Sequence, residues 1–107
     1  LGDVYKRQYV MFLNRANKAL GVSLISKGGM AETVMDVKII LQTALKVHAS
    51  GIILSHNHPS GNLRPSEPDK QITSKIKEAC KVLDLHLLDH IILTEEGYYS
   101  FAEEGLL

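Results

Sequence analysis

All three prolines of the chain, Pro59, Pro65 and Pro68, fall in one short stretch that also holds Gly61 and Asn62. Proline fixes φ and carries no N–H, so this stretch belongs to no regular element and reads as an ordered loop or a series of turns. What enters it is Gly51-Ile52-Ile53-Leu54-Ser55-His56, a β-branched run bounded by glycine, which is the pattern of a central strand. What leaves it is Ser66-Glu67-Pro68-Asp69. That order has the form of a capping box, with Ser66 as N-cap, Pro68 in the first turn and Asp69 at the third helical position. A helix follows, with Ile72, Ile76, Ala79, Cys80 and Leu83 on its core face and Lys70, Lys75, Lys77, Glu78 and Lys81 largely outside. Strand, rigid loop and capped helix are therefore the fixed middle of the fold.

The flanks fit around it. Leu1 to Gln8 lacks a clean period and reads as a tail or a truncated junction, with the domain running from 9 to 107. Tyr9-Val10-Met11-Phe12-Leu13 reads as a strand buried on both faces. Asn14 to Lys18 supplies a turn, and Ala19 to Ser26 a returning strand stopped by Gly28-Gly29. Asp36 can cap a helix carrying Val37, Ile40, Leu41, Ala44 and Leu45, closed by Ser50-Gly51. Leu85 to Thr94 and Tyr98 to Ala102 read as two further strands around the turn Glu95-Glu96-Gly97. With 107 residues, 45% of them hydrophobic, there is apolar material for one core and one domain. The order of elements implies an α/β fold, a mixed sheet flanked by helices in three layers.

Composition removes several function classes. Twelve Lys and Arg balance twelve Asp and Glu, so no global field favours nucleic acid or an anionic membrane. No apolar run approaches the roughly 20 residues that span a bilayer. Cys80 is the only cysteine; it fits a reducing, cytoplasmic setting and excludes a zinc site built on two thiolates.

His56 and His58 lie two apart at the end of the central strand, so their side chains leave the same face. Asp69 begins the helix beyond the proline loop and can swing toward the same edge. Two neutral imidazoles and a carboxylate are good ligands for Zn2+, and three protein ligands with water in the fourth position define a catalytic more than a structural site. The nucleophile would then be a zinc-bound water whose pKa is lowered to about 7. Neither His-Glu-x-x-His nor the Pro-Cys-x-x-Cys of zinc deaminases occurs.

His56-Asn57-His58-Pro59-Ser60-Gly61 followed by Pro65-Ser66-Glu67-Pro68-Asp69 resembles the signature of the RadC-like branch of the JAMM superfamily, also called MPN or JAB. The similarity runs from about Tyr9 to the C-terminus and includes Leu87-Leu88-Asp89-His90 and Tyr98-Tyr99-Ser100-Phe101. The resemblance implies the JAMM fold, related to that of cytidine deaminases, with His56, His58 and Asp69 as zinc ligands. It also implies Ser66 as the serine that stabilises an oxyanion, and an upstream helical domain. The implied activity is hydrolysis of a peptide or isopeptide amide, and the family carries a DNA-repair label. JAMM hydrolases also use a glutamate from an earlier strand as general base; the corresponding stretch, Leu20 to Lys27, has no carboxylate, and Glu32 is the nearest upstream glutamate.

Each of these residues also has a plainer role. Ser66 is first a helix cap, Asp69 can complement the helix dipole, and Glu32 can be a solvated loop charge. Asp89-His90 is either a pair that orients a ligand imidazole or, more simply, a histidine satisfied by backbone groups inside a sheet. His48 suits a helix C-terminus, His86 has no visible partner and Cys80 is a small buried hydrophobe. Arg64, Lys70, Lys75, Lys77 and Lys81 make a modest basic surface, diluted by Glu67 and Glu78, on which nucleic-acid binding would rest. Two readings follow: a zinc hydrolase, or a JAMM-like binding module that contacts DNA or a protein partner.

Overall fold

The computed structural model describes residues 6–28 and 35–107. Five strands form one mixed sheet in the order β2-β1-β3-β4-β5: β1 (Lys6–Leu13), β2 (Ala19–Gly28), β3 (Gly51–Asn57), β4 (His86–Thr94) and β5 (Gly97–Ser100). Two helices, α1 (Val37–Lys46) and α2 (Glu67–Val82), precede β3 and β4. Local chemistry sets the boundaries. In the first hairpin the Asn14 side chain accepts the N–H groups of Ala16 and Lys18, and Asn17 takes a left-handed φ of 59°, which asparagine tolerates. Asp36 caps α1 by accepting from Lys38 and Ile39. Ser66 and Asp69 form the full reciprocal capping box at the start of α2.

β1 begins at Lys6, three residues before the apolar pattern starts, so the expected tail from Leu1 to Gln8 is wrong for residues 6–8. Gln8 is buried and pairs with Ser26 on one side and His56 on the other; its polar side chain hides it from any search for apolar periodicity. Nor is β1 buried on both faces. Val10 and Phe12 are buried, whereas Tyr9 is exposed and Met11 half-buried. Val10 lies opposite Leu54, and Phe12 opposite Ile52, in the antiparallel β1–β3 register. These four gather with Ile40 and Ala44 of α1 and with Ile76 and Cys80 of α2 in one core cluster.

The α/β class and the mixed sheet flanked by helices are as expected. Among the described residues both helices bury apolar residues in that one cluster, while Val22 is 59% exposed and Leu24 and Leu93 are exposed too. Leu83, expected in the core, is the C-cap of α2 and 38% exposed; Leu85 fills the buried position instead. The last strand stops at Ser100: Phe101 still donates to the His90 carbonyl, but the turn closed by the Glu104 N–H on the Ser100 carbonyl begins there.

One consequence of the topology matters most for function. β3 and β4 run parallel, joined by the α2 crossover, with His90 beside Leu54 and Ile92 beside His56. The two histidine-bearing strands thus end side by side, over the start of α2.

The packing predicts that Leu54→Ala costs about 2–5 kcal/mol in urea unfolding, because it opens a cavity at the centre of the cluster. Val22→Ala on the open face should stay within about 0.5 kcal/mol.

Candidate metal centre

Strand alternation puts His56 on the core face beside Ile92, where it is 1% exposed. His58 lies just past the end of β3, held by its backbone N–H to the Leu93 carbonyl at 2.9 Å. Its ring is fixed by a 2.6 Å hydrogen bond from Nδ1 to the Asn62 carbonyl, so the proline-containing loop orients it. Asp69 sits in the first turn of α2, where Oδ2 accepts the Ser66 N–H at 2.8 Å and the Asp69 N–H reaches Ser66 Oγ at 3.1 Å. The capping box that starts the helix also aims this carboxylate.

The three side chains converge. His56 Nε2 and His58 Nε2 are 2.9 Å apart; His56 Nε2 is 3.2 Å from Asp69 Oδ1, and His58 Nε2 is 3.1 Å from Asp69 Oδ2. Ligands about 2.0–2.2 Å from a tetrahedral zinc ion lie roughly 3.3–3.5 Å from one another, so a few tenths of an ångström of outward movement seats the ion. The donor chemistry fits as well as the distances. The Asn62 carbonyl can only accept, so Nδ1 of His58 carries the proton and the neutral ring presents a lone pair at Nε2. That lone pair faces a second imidazole nitrogen and a carboxylate, an arrangement that a positive charge at its centre would stabilise. Burial alone would raise the Asp69 carboxyl, but the neighbouring His56 and His58 rings and the Ser66 N–H outweigh it and hold the group well below the usual carboxylate range. The Asp69 carboxylate is therefore ionised at physiological pH, the state in which it could hold a cation.

Behind these three side chains lies a second tier, in which His90 takes one of the two places the sequence left open and Asp89 does not. His56 Nδ1 is 2.8 Å from His90 Nε2, and His90 Nδ1 is hydrogen-bonded to Thr73 Oγ1. His90 also stacks on Phe101, with ring centroids 4.8 Å apart and planes 14° from parallel. Its ring is thus bonded to side chains, against the plainer expectation of backbone partners. Asp89 orients no ligand imidazole; its carboxylate accepts from Ser100 Oγ, Ala102 N and the adjacent His90 N, pinning the turn after β5. Thr73 escaped notice altogether. The available signal was its place four residues after Asp69, on the same helix face.

Ser66 is in the capping position expected of it, its side chain accepting from Asp69. Glu32 lies outside the described residues. Beside His56 and His58 opens a cleft of about 490 Å³, lined also by Arg7, Tyr9, Asn57, Glu95 and Glu96; the two glutamates of the β4–β5 turn thus share it with the imidazoles. On α2, Lys70 and Lys81 approach Glu67 and Glu78 at 3.8 and 3.6 Å, which dilutes the basic surface. Among the described residues no helix is long and apolar enough to cross a membrane.

Comparison with known proteins agrees with the geometry. The profile of the RadC-like JAB domain matches residues 4–106. A UPF0758 protein of Flavobacterium johnsoniae is 52% identical over 98 residues, covering 92% of this chain and 43% of that protein. Its counterpart in Porphyromonas gingivalis is 45% identical over 95% of this chain and 45% of its own length. One from Streptococcus sanguinis is 42% identical over 97% and 46%. The chain spans less than half the length of these curated relatives.

The site predicts about one zinc per chain by elemental analysis after zinc-replete purification, and loss of that zinc in His56→Ala and in Asp69→Asn. In the unaltered protein, zinc at about one hundred times its Kd should add about 2.7 kcal/mol of stability. The same addition should leave the melting of either variant unchanged.

Proposed function

The chain belongs to the RadC-like JAB domain family, and from that premise we propose that it is a zinc-dependent hydrolase acting on a peptide or isopeptide amide. The observation that carries this reading is the convergence of His56 Nε2, His58 Nε2 and the Asp69 carboxylate beside an open cleft. When bound, zinc supplies Lewis acidity and lowers the pKa of a coordinated water to about 7. His56 and His58 hold the site as neutral donors, and Asp69 brings the one negative charge, kept in place by the cap of α2.

Ser66 Oγ uses a lone pair to accept the Asp69 N–H. Its own hydrogen is then left to donate to the oxygen that becomes negative when the amide carbonyl is attacked, so capping and oxyanion stabilisation coexist in one hydroxyl. Amide hydrolysis further needs a group that takes a proton from water and hands it to the leaving amine. Leu20 to Lys27 of β2 offers no carboxylate. Glu95 and Glu96 share the cleft with the imidazoles, and with Glu32 they are the carboxylates to be tested for that role. A cytoplasmic setting is part of the proposal: Cys80 is free and buried, its thiol pushed up to about 11 by burial, which suits an inert core residue in a reducing compartment.

The missing strand carboxylate is the observation favouring a second reading, a metal-holding module that contacts DNA or a protein without cleaving anything. The family's DNA-repair label belongs to this reading, with Arg64 and the lysines of α2 as phosphate contacts.

On the first reading, zinc-loaded protein cleaves members of a broad peptide and isopeptide library, with products identified by mass spectrometry, and His56→Ala abolishes cleavage. Ser66→Ala should lower kcat by about 10²–10³, the usual effect of removing one oxyanion donor. Glutamine at the proton-transferring position among Glu32, Glu95 and Glu96 should lower kcat with little change in KM. Zinc-loaded protein that cleaves no member of the library, yet binds DNA with an affinity that falls steeply with salt, would replace hydrolysis by the second reading.

A further inference from the structure

Buried polar groups have their hydrogen bonds made, and each hydroxyl or neutral imidazole has one proton to give, so a chain of such bonds has a direction. The chain behind the metal centre can be followed from its far end. Thr73 Oγ1 is 2.7 Å from the backbone carbonyl of Asp69, which only accepts, so the hydroxyl proton goes there. The same oxygen is within hydrogen-bond distance of His90 Nδ1. Having given its proton away, it must accept, and His90 donates from Nδ1. A neutral His90 protonated at Nδ1 has its lone pair at Nε2, and that atom is 2.8 Å from His56 Nδ1. His56 therefore donates from Nδ1, which leaves the lone pair at Nε2, the atom that faces His58 and Asp69.

We propose that Thr73, acting through His90, sets the ring tautomer of His56 and so presents its Nε2 lone pair to the cation. Thr73 is a positioning residue in this scheme, touching neither ion nor substrate. The proposal rests on the metal-centre reading for its purpose but not for its geometry. Three features support it. Thr73, His90 and His56 are 2%, 1% and 1% exposed, so bulk water does not compete for these bonds. Phe101 stacks flat on His90 and holds the plane of its ring. And His58 gets the same Nε2 lone pair by an unrelated route, the Asn62 carbonyl, so both rings are readied alike although Thr73 and His90 act on only one of them. A histidine that ligates a metal commonly has its other ring nitrogen fixed in this way; here the fixing partner is a second imidazole, itself fixed by a threonine hydroxyl.

The test reads the tautomers directly in metal-free protein. With histidine labelled by nitrogen-15 and the pH at about 8.5, above the ordinary titration range of imidazole, long-range proton–nitrogen correlation distinguishes protonation at Nδ1 from protonation at Nε2. The expected result is Nδ1–H for both His56 and His90. Thr73→Val keeps the shape but removes the hydroxyl; it should shift His56 toward the Nε2–H form and weaken zinc binding in calorimetry about 10- to 100-fold. Thr73→Ser should restore both. His56 found as Nε2–H in the unaltered protein, or unchanged tautomer and zinc affinity in Thr73→Val, would overturn the proposal. Should the valine variant fail to fold, the tautomers of the unaltered protein decide alone. Unaltered protein that shows the expected tautomers but takes up no zinc refutes the metal-centre reading, a result distinct from failure of the tautomer assignment.

Discussion

Two imidazole nitrogens and a carboxylate brought within 2.9–3.2 Å of one another are three electron-rich groups facing a common point, and positive charge between them relieves their repulsion. A proton shared with Asp69 can serve, as can a divalent cation; a purely apolar or neutral arrangement cannot. Each element around the site contributes to holding this unfavourable trio together. The antiparallel β1–β3 pairing fixes the face on which His56 stands. The proline-containing loop fixes His58 through Asn62. The cap of α2 fixes Asp69. None of these is a long flexible tether, and a first shell built on rigid elements is what a selective cation site requires.

Asp69 shows how closely folding and function are joined here. Its carboxylate completes the capping box with the Ser66 N–H, and the same Oδ2 lies 3.1 Å from His58 Nε2. Its backbone carbonyl receives the Thr73 hydroxyl, and Thr73 in turn meets His90 on β4. The first two turns of α2 are thereby tied to both parallel strands, through polar bonds at the site end and through Ile76 and Cys80 farther along. Because a buried polar network is strong only when every member is satisfied, loss of one member should be felt along the whole chain of bonds.

The middle of the fold could be read directly from residue order. Ser66 and Asp69 announce their own cap, glycine and proline bound β3, and the two-residue spacing of His56 and His58 already implies one face. What stayed hidden depends on register and packing between distant segments. His90 is 34 residues from His56, and nothing local says that β3 and β4 run parallel with those residues adjacent; its neighbours Ile91 and Ile92 suggest only a sheet interior. Thr73 looks like any polar residue on a helix until α2 is laid against β4. Gln8 fails the apolar pattern of β1 because it is a polar residue that alternates onto the same buried face as Val10 and Phe12.

The family is established by more than nine-tenths coverage of the chain, and the convergence of His56, His58 and Asp69 follows from atomic distances. What joins them is the claim that Nε2 of both imidazoles and the Asp69 carboxylate bind one ion. X-ray absorption of the zinc-loaded protein tests that claim most directly. The account expects a sulfur-free first shell of nitrogen and oxygen at about 2.0–2.2 Å, with multiple-scattering features of two imidazoles. A shell with a sulfur near 2.3 Å, or with fewer than two imidazoles, would contradict it.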